Sequence, residues 1–309
     1  MHSHHIPLLP YPFRGEPVPC PVCGSEQAEV IARIDRRLKR LTTVLCGHCG
    51  LFYSNPMPTQ AELDAYYRHM YRRDYQFARS GPGARHVAKK EAEARRRHDA
   101  LARRFDLSRP RRFLDFGCGS GELVRHFAAQ GHAAHGFEPG VAYAAHAAGA
   151  GSVEIRTGSW AEMDYPEAHF DIITCLHVLE HLRDPVGALA AMARWLAPGG
   201  LIWVEVPDMQ GYPLKGFERF HFAHVLGFSS DNLVLAGQRA GLGVVERLAP
   251  TSILFARGAP AAEIDLAATV ARNRAEYGRG ISLPAYLGHH ARRVLRRARL
   301  RLAAGRREG

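Results

Sequence analysis

The run from Arg112 to Leu123, R-F-L-D-F-G-C-G-S-G-E-L, constrains the chain more than any other feature: a short apolar stretch, one aspartate, then glycines at alternate positions. Phe113, Leu114 and Phe116 suit a buried strand. Gly117, Gly119 and Gly121 let the backbone turn sharply against a ligand before a helix opens near Glu122. A strand, a tight loop and a helix N-terminus in that order predict an α/β sheet carrying a nucleotide-like ligand at its carboxyl edge. The dinucleotide fingerprint G-x-G-x-x-G fits neither reading frame, because Glu122 and Val124 stand where its third glycine falls. The spacing favours a different ligand.

Downstream, Leu123 to Gln130 reads as a helix and His132 to Phe137 as a second strand ending at Glu138. A carboxylate at that strand tip, ~20 residues beyond the glycine loop, is placed to accept hydrogen bonds from both ribose hydroxyls of an adenosine. Phe170 to Cys175 reads as a buried strand, Pro185 to Trp195 as a helix stopped by Pro198-Gly199-Gly200, and Leu201 to Val206 as the next strand. The pattern D-x-G-x-G-x-G with Glu138 in step resembles the first motifs of the class I S-adenosylmethionine-dependent methyltransferases, as do the runs H-V-L-E-H-L-x-D-P and L-x-P-G-G. The matches cover roughly residues 111 to 207. The resemblance implies a doubly wound, seven-stranded, mostly parallel sheet. It also implies S-adenosylmethionine held at Asp115, Gly117, Cys118, Gly119 and Gly121, with its ribose on Glu138. The family sets an acid against adenine after the third strand; here Thr157-Gly158-Ser159-Trp160 offers Ser159 and a stacking Trp160 instead, and Glu162 reads as a solvated helix-start residue. His177 is expected in the wall of the cofactor pocket.

Cys20-x-x-Cys23 and Cys46-x-x-Cys49 place four thiolates in two knuckles, suited to one structural, tetrahedral zinc. The spacer is slightly long for a ribbon, and a small hairpin absorbs it. A redox pair or free thiols are the competing readings. No signal peptide and no apolar run of ~18 residues is seen, so a reducing cytosol is expected and disulfides are not. Cys118 and Cys175 read as small buried residues rather than nucleophiles.

With 309 residues and 46% apolar content, the chain supports one large core and a small accessory lobe. The expected organisation is a zinc ribbon at 16–58, a helical linker or lid at 59–110, a cofactor-binding core at 111–258 and a C-terminal extension at 259–309. The net charge of +11 is uneven: residues 111–270 carry 11 basic against 17 acidic side chains, and the basic excess lies in the flanks. Nucleic acid across the cofactor face is therefore disfavoured, although a basic lobe can still grip phosphates.

Thr59-x-x-Glu62 is a capping box for a helix through about His69. Tyr66, Tyr67, Tyr71 and Tyr75 crowd the same region and read mainly as packing between lobes, with the lining of an acceptor pocket as the alternative. Lys89 to Arg104 reads as a solvated, charged helix bridging the lobes, with contact of Arg95 to Arg97 with an anionic acceptor as the alternative. Gly216 to His224 is a loop in which aromatics alternate with histidines, suited to an acceptor pocket. Ribbon, core and H-x-x-x-F-S segment in this order look like the zinc-containing sugar methyltransferases, in which a histidine acts as base. His224, before Phe228-Ser229, and His181 match those histidines and are the candidate catalytic residues. Ala223 and Phe222 stand where that family has Glu and Tyr, and its long C-terminal domain is missing. Ketosugar C-methylation is thereby disfavoured against O-methylation of a sugar or glycan hydroxyl, consistent with polysaccharide biosynthesis. An RNA methyltransferase docking RNA through ribbon and basic flanks, and a cofactor-binding scaffold without turnover, are the rivals. Ala285 to Ala304 reads as a basic amphipathic helix, suited to an anionic leaflet at the inner membrane surface or to nucleic acid, or simply frayed.

Overall fold

The computed structural model describes residues 10–71, 83–149, 153–211, 216–278, 284 and 286–288. The expected basic helix from Ala285 to Ala304 lies almost entirely outside the described residues, as do Tyr75 and the His-rich first nine residues. β1 (Ala28–Ile34), β2 (Arg40–Cys46) and β3 (Phe52–Ser54) form an antiparallel meander. The hairpin that joins β1 to β2 turns on Asp35, whose carboxylate accepts from the amides of Arg37 and Lys39 and from the Tyr11 hydroxyl. α1 (Gln60–His69) starts at the expected capping box: the Glu62 amide donates to Thr59 Oγ1, and the Thr59 amide donates to the Glu62 carboxylate. Glu62 also accepts from the amides of Arg14 and Gly15, which ties the N-terminal arm to the helix.

α2 (Ala84–Ala102) leads to the main sheet, built from β4 (Arg112–Phe116), β5 (Ala133–Glu138), β6 (Glu154–Thr157), β7 (Phe170–Leu176) and β8 (Leu196–Glu205). α3 (Glu122–Ala129), α4 (Val141–Gly149) and α5 (Pro185–Trp195) connect these strands. The chain then adds β9 (Leu226–Gly227), α6 (Ser230–Arg239), β10 (Leu242–Ala249), β11 (Ser252–Arg257) and α7 (Leu266–Gly278). The sheet order is β10-β11-β8-β7-β4-β5-β6. β4 to β8 run parallel, and β11 is antiparallel to both of its neighbours. This is the seven-stranded, doubly wound arrangement expected. Parallel strands covered on both faces need apolar residues at nearly every position, which F-L-D-F of β4 and F-D-I-I-T-C-L of β7 supply.

Two local features differ from the expectation. β8 begins five residues earlier than its apolar run, because Leu196 pairs with Phe170 and Leu201 with Ile172. The residues between them bulge from the ladder, where Gly199 takes φ +74° and a β-carbon on Gly200 would meet the Asp171 carbonyl at 2.7 Å. Pro198 is tolerated there because a bulge asks for no ladder donor. The second difference is β9, which crosses to β3 and makes the ribbon sheet four-stranded, in the order β1-β2-β3-β9. The Ser54 amide donates to Val225 O at 2.9 Å in the same seam. Among the described residues no helix is long and apolar enough to cross a membrane.

Candidate functional site

β4 has β5 on one side and β7 on the other, so the strand order reverses at its carboxyl end, where open α/β sheets leave a crevice. A cavity of about 470 Å³ opens there, within the size range of small-molecule sites. Its floor is the glycine loop. Gly117 and Gly121 hold φ of +76° and +79°, and a β-carbon would stand 2.6 Å from Val178 Cγ2 at the first and 2.8 Å from Ala147 Cβ at the second. Glycine is needed at both places for conformation and for space. Gly119, at φ +57°, has nothing within 4 Å of where its β-carbon would lie, so the loop leaves room for a ligand to approach its backbone. Cys118 lines the same floor; burial, then the charges of Asp115 and Glu138, push its thiol well up, which suits a packing residue and not a nucleophile. Burial does the same to Cys175.

Glu138, 7% exposed, is held by two amides: Gly119 N–H donates to Oε2 at 3.1 Å and Gly140 N–H to Oε1 at 3.0 Å. The loop and the strand tip thus orient each other, and the carboxylate borders the cavity. Asp115 is equally buried and accepts from Thr174 Oγ1 at 2.7 Å. Burial pushes its pKa up to about 6 against that hydrogen bond. A folded-state pKa raised above the unfolded value means that the stability is fully present below the unfolded pKa, near 3.8, and is lost as pH rises through 6. Asp115→Asn, which keeps the shape and the acceptor for Thr174, is therefore expected to gain on wild type by on the order of 2–3 kcal/mol between pH 4 and pH 7.5. Urea midpoints at those two pH values check this; a mutant-minus-wild-type difference that does not change with pH would refute it.

Thr157, Gly158, Ser159 and Trp160 form another part of the wall. Ser159 caps the short 3₁₀ turn Trp160–Glu162, and its amide donates to Glu162 Oε2 at 2.5 Å. Glu162, read as a solvated residue, is exposed but turns back onto this cap at the edge of the cavity. His177 follows β7 with the left-handed φ of +59°, which places a non-glycine residue in a sparsely populated region at the mouth of the site. Its Nε2 lies 3.1 Å from Glu205 Oε1. Burial opposes protonation of His177, but the hydrogen bond to Glu205 and the charges of Glu180 and Glu205 outweigh it and raise its pKa. Glu205 is lowered to about 2 by His177 and, against burial, by Arg97, whose Nη2 lies 3.3 Å away.

Arg97 belongs to a helix whose charged stretch reads chiefly as solvated, with an anionic-acceptor contact at Arg95 to Arg97 as the alternative. His86, Lys90, Ala94 and Arg97 of α2 line the cavity. Their spacing of four, four and three residues is one face of a helix, and that was the available signal. Of the tyrosines, Tyr66 packs in the core, edge-on to Phe13 and Phe222, while Tyr67 and Tyr71 line the cavity.

His181 borders the cavity and His224 stands behind it, with ring centroids 4.8 Å apart. His181 Nδ1 lies 2.6 Å from Ala223 O and 2.8 Å from the Tyr67 hydroxyl. His224 packs on His221 with centroids 3.9 Å apart and borders a separate small void. Burial, then neighbouring histidines and Arg36, push the pKa of His224 well down; burial leads for His221 as well. The structure thus brings together the two histidines chosen from distant motifs, with His181 alone of the pair in the cavity wall.

The four cysteines converge. Sγ of Cys20 lies 3.6 Å from that of Cys49, and Cys23 Sγ lies 3.5 Å from Cys46 Sγ, with all four sulfurs within 4.8 Å of one another. A tetrahedral zinc with sulfur ligands at about 2.3 Å has edges of about 3.8 Å, so the cage fits this ion with small adjustments. The amides of His48 and Cys49 point at Cys46 Sγ, both at 3.4 Å, as a thiolate acceptor requires. Hydrogen bonds from Cys20 and Cys49 lower the Cys46 thiol, while the hydrogen bond to Cys46 and burial, against the hydrogen bond to Cys49, push Cys20 up to about 12. A divalent cation would instead take all four as thiolates.

A family model described as a methyltransferase domain matches residues 85–247. The ubiquinone biosynthesis O-methyltransferase of Hahella chejuensis is 38% identical over 95 residues, covering 29% of this chain and 40% of that protein. Its counterpart in Aromatoleum aromaticum is 35% identical over 128 residues, covering 38% and 50%. The chain thus spans half or less of the length of these curated relatives. Among solved structures, an S-adenosylmethionine-bound amino pentose methyltransferase from Micromonospora echinaspora superposes with a TM-score of 0.45 at 22% identity, over 56% of this chain and 96% of that one.

Proposed function

This chain belongs to the methyltransferase domain family, and we propose on that premise that it moves a methyl group from S-adenosylmethionine to a hydroxyl oxygen of a sugar, a glycan or a related small acceptor. One observation carries the reading: Glu138, pinned by the Gly119 and Gly140 amides, shares a single cavity with His181 and Tyr67. When bound, the cofactor supplies an electrophilic methyl on a sulfonium. Glu138 would accept from the ribose diol, the backbone at Gly119 would lie against the ligand, and Ser159 and Trp160 would border the adenine. Lys90 and Arg97 give the cavity the cations that an α-carboxylate needs. With the leaving group so activated, the protein's task is to align the acceptor oxygen and to relieve it of a proton. His181, in the wall and backed by His224, is the residue placed for that. Both named relatives are O-methyltransferases, which supports oxygen as the receiving atom. Four cysteines hold one zinc in this reading, which orders the ribbon and takes no part in the transfer.

Incubation of zinc-replete protein with methyl-labelled donor and separate panels of nucleotide sugars and glycans, phenolic hydroxyls, and RNA tests the reading. Label in an ether of a small hydroxylated acceptor is expected. Label in RNA alone, falling steeply with salt, would replace it with the RNA-docking reading, and cofactor binding with transfer to none of the panels would favour a scaffold.

A further inference from the structure

Among the described residues, Glu180 stands out as a buried carboxylate with neither oxygen satisfied: it is 2% exposed, and neither oxygen has a hydrogen-bond partner. A buried carboxylate in that condition needs a proton or a cation. Three imidazole nitrogens face it: His181 Nε2 and His224 Nε2 each lie 3.7 Å from Glu180 Oε1, and His177 Nδ1 lies 3.8 Å from it, with its other nitrogen already on Glu205. At His181 the tautomer follows from its neighbours. Nδ1 is 2.6 Å from the Ala223 carbonyl, which can only accept, so the proton is assigned to Nδ1 and Nε2 presents a lone pair to the carboxylate. A nitrogen lone pair of His181 therefore faces a carboxylate oxygen of Glu180, and the two repel.

We propose that Glu180, His181 and His224 form a second metal site, for a first-row divalent cation bound by two imidazole nitrogens and one carboxylate. The three ligand atoms lie within 4.8 Å of one another. Ligands at about 2.0–2.2 Å around a tetrahedral ion are separated by about 3.4 Å, so the observed 3.7 Å contacts need to close by only a few tenths of an ångström. A void of about 10 Å³ touches Glu180 and His224, a size suited to a single ion or water. Arg219 lines the same void, but its guanidinium donates to Met209 O and pairs with Glu276. The Nδ1 bond to a backbone carbonyl is the arrangement that aims and fixes a metal-ligating histidine. Burial keeps His224 neutral, as a nitrogen ligand must be.

This site differs in kind from the cysteine cage. Four sulfurs close a coordination sphere, whereas two histidines and one carboxylate leave positions open. His181 borders the main cavity, so an acceptor hydroxyl entering beside it could complete the sphere. The ion would lower the hydroxyl's pKa so that water in the cavity takes its proton as the oxygen receives the methyl group, and His181 would then serve as a ligand in place of the base role proposed for it. That role rests on the methyl-transfer reading; binding of the cation does not.

The test uses this chain loaded with one equivalent of zinc, which the four cysteines take first, and titrated with Mn²⁺ alone while unbound Mn²⁺ is read by electron paramagnetic resonance. One Mn²⁺ per chain is expected, with affinity about 100-fold weaker or worse in Glu180→Gln and in His224→Gln. Circular dichroism and retained ribbon zinc establish that each variant is folded. Titration of the same proteins with Co²⁺ is expected to give d–d bands without thiolate charge transfer. The proposal is overturned if the zinc-loaded wild type takes up neither metal, or if both folded variants bind as the wild type does. Metal uptake in a protein that transfers no methyl group would leave the site standing and remove only the reading of the reaction.

Discussion

Cys49→Ser is expected to dismantle the β1–β3 sheet and abolish acceptor turnover, while cofactor binding on the seven-stranded sheet survives. The cysteine cage sits at the turn between β2 and β3, and Cys46 and Cys49 are completely buried. A structural zinc in so small a lobe contributes about 10–16 kcal/mol of apparent binding free energy, more than such a lobe holds by its own packing. The damage spreads by hydrogen bonds that can be named. Phe52 and Tyr53 of β3 pair with Gly227 and Leu226 of β9. Asn232 of α6 donates to the Cys49 carbonyl, and Asn273 of α7 donates to Gly50 O at 2.8 Å. Losing β3 therefore releases the segment that carries Ala223 and His224, and Ala223 O is what orients His181. Glu138 and the glycine loop hang on β4 and β5 and do not depend on this seam. Protease cleavage confined to residues 16–58, a cofactor titration near that of wild type and turnover reduced at least about 100-fold are the expected results. A chelator should reproduce them, although it would also strip the Glu180 site; the cysteine variant separates the two effects. Full turnover by a metal-free ribbon would refute the structural role given to these cysteines.

What the sequence disclosed and what it hid divide along a physical line. The glycine loop, Glu138, the capping box at Thr59 and Glu62 and the two cysteine knuckles were legible because each is a local device: its partner lies within a few residues or at a fixed offset set by one strand and one turn. For α2 the sequence favours solvent and leaves an acceptor contact at Arg95 to Arg97 as the lesser alternative, because a helix whose polar face meets a charged cavity has the same pattern as one whose polar face meets water; His86 and Lys90 carry no distinguishing mark. β9 is only two residues long, too short to show alternation, and its partner strand lies far away in the chain. Glu180 was read past altogether, since its unsatisfied oxygens exist only once the loop after β7 and the segment before β9 are folded together. His181 and His224 were chosen from the chemistry of a histidine base and from a resemblance, and their common contact with Glu180 was not visible in either motif.

Glu138→Ala is expected to weaken S-adenosylmethionine by about 10²–10⁴-fold in a calorimetric titration. A hydrogen bond to a charged group contributes about 1.5–3 kcal/mol, and a carboxylate that takes both hydroxyls of a ribose supplies two of them, about 3–6 kcal/mol in all. The alanine variant has a second effect, because Glu138 also accepts from the Gly119 and Gly140 amides and removing it leaves both without that partner. The glycine loop would then relax, and part of the loss would come from a floor no longer shaped for the ligand. Glu138→Gln separates the two contributions. Its one carbonyl oxygen can keep one amide and one hydroxyl, while its NH₂ faces a second donor, so an intermediate loss of about 10–100-fold is expected with the loop largely in place. Far-UV circular dichroism and melting temperature should change little in the glutamine variant and fall modestly in the alanine variant. A graded series, wild type above Gln above Ala, ties cofactor affinity to the acceptor count at this strand tip. Equal affinities across the series would mean that the cavity holds its ligand elsewhere, and the assignment of Glu138 would fall even if methyl transfer were observed.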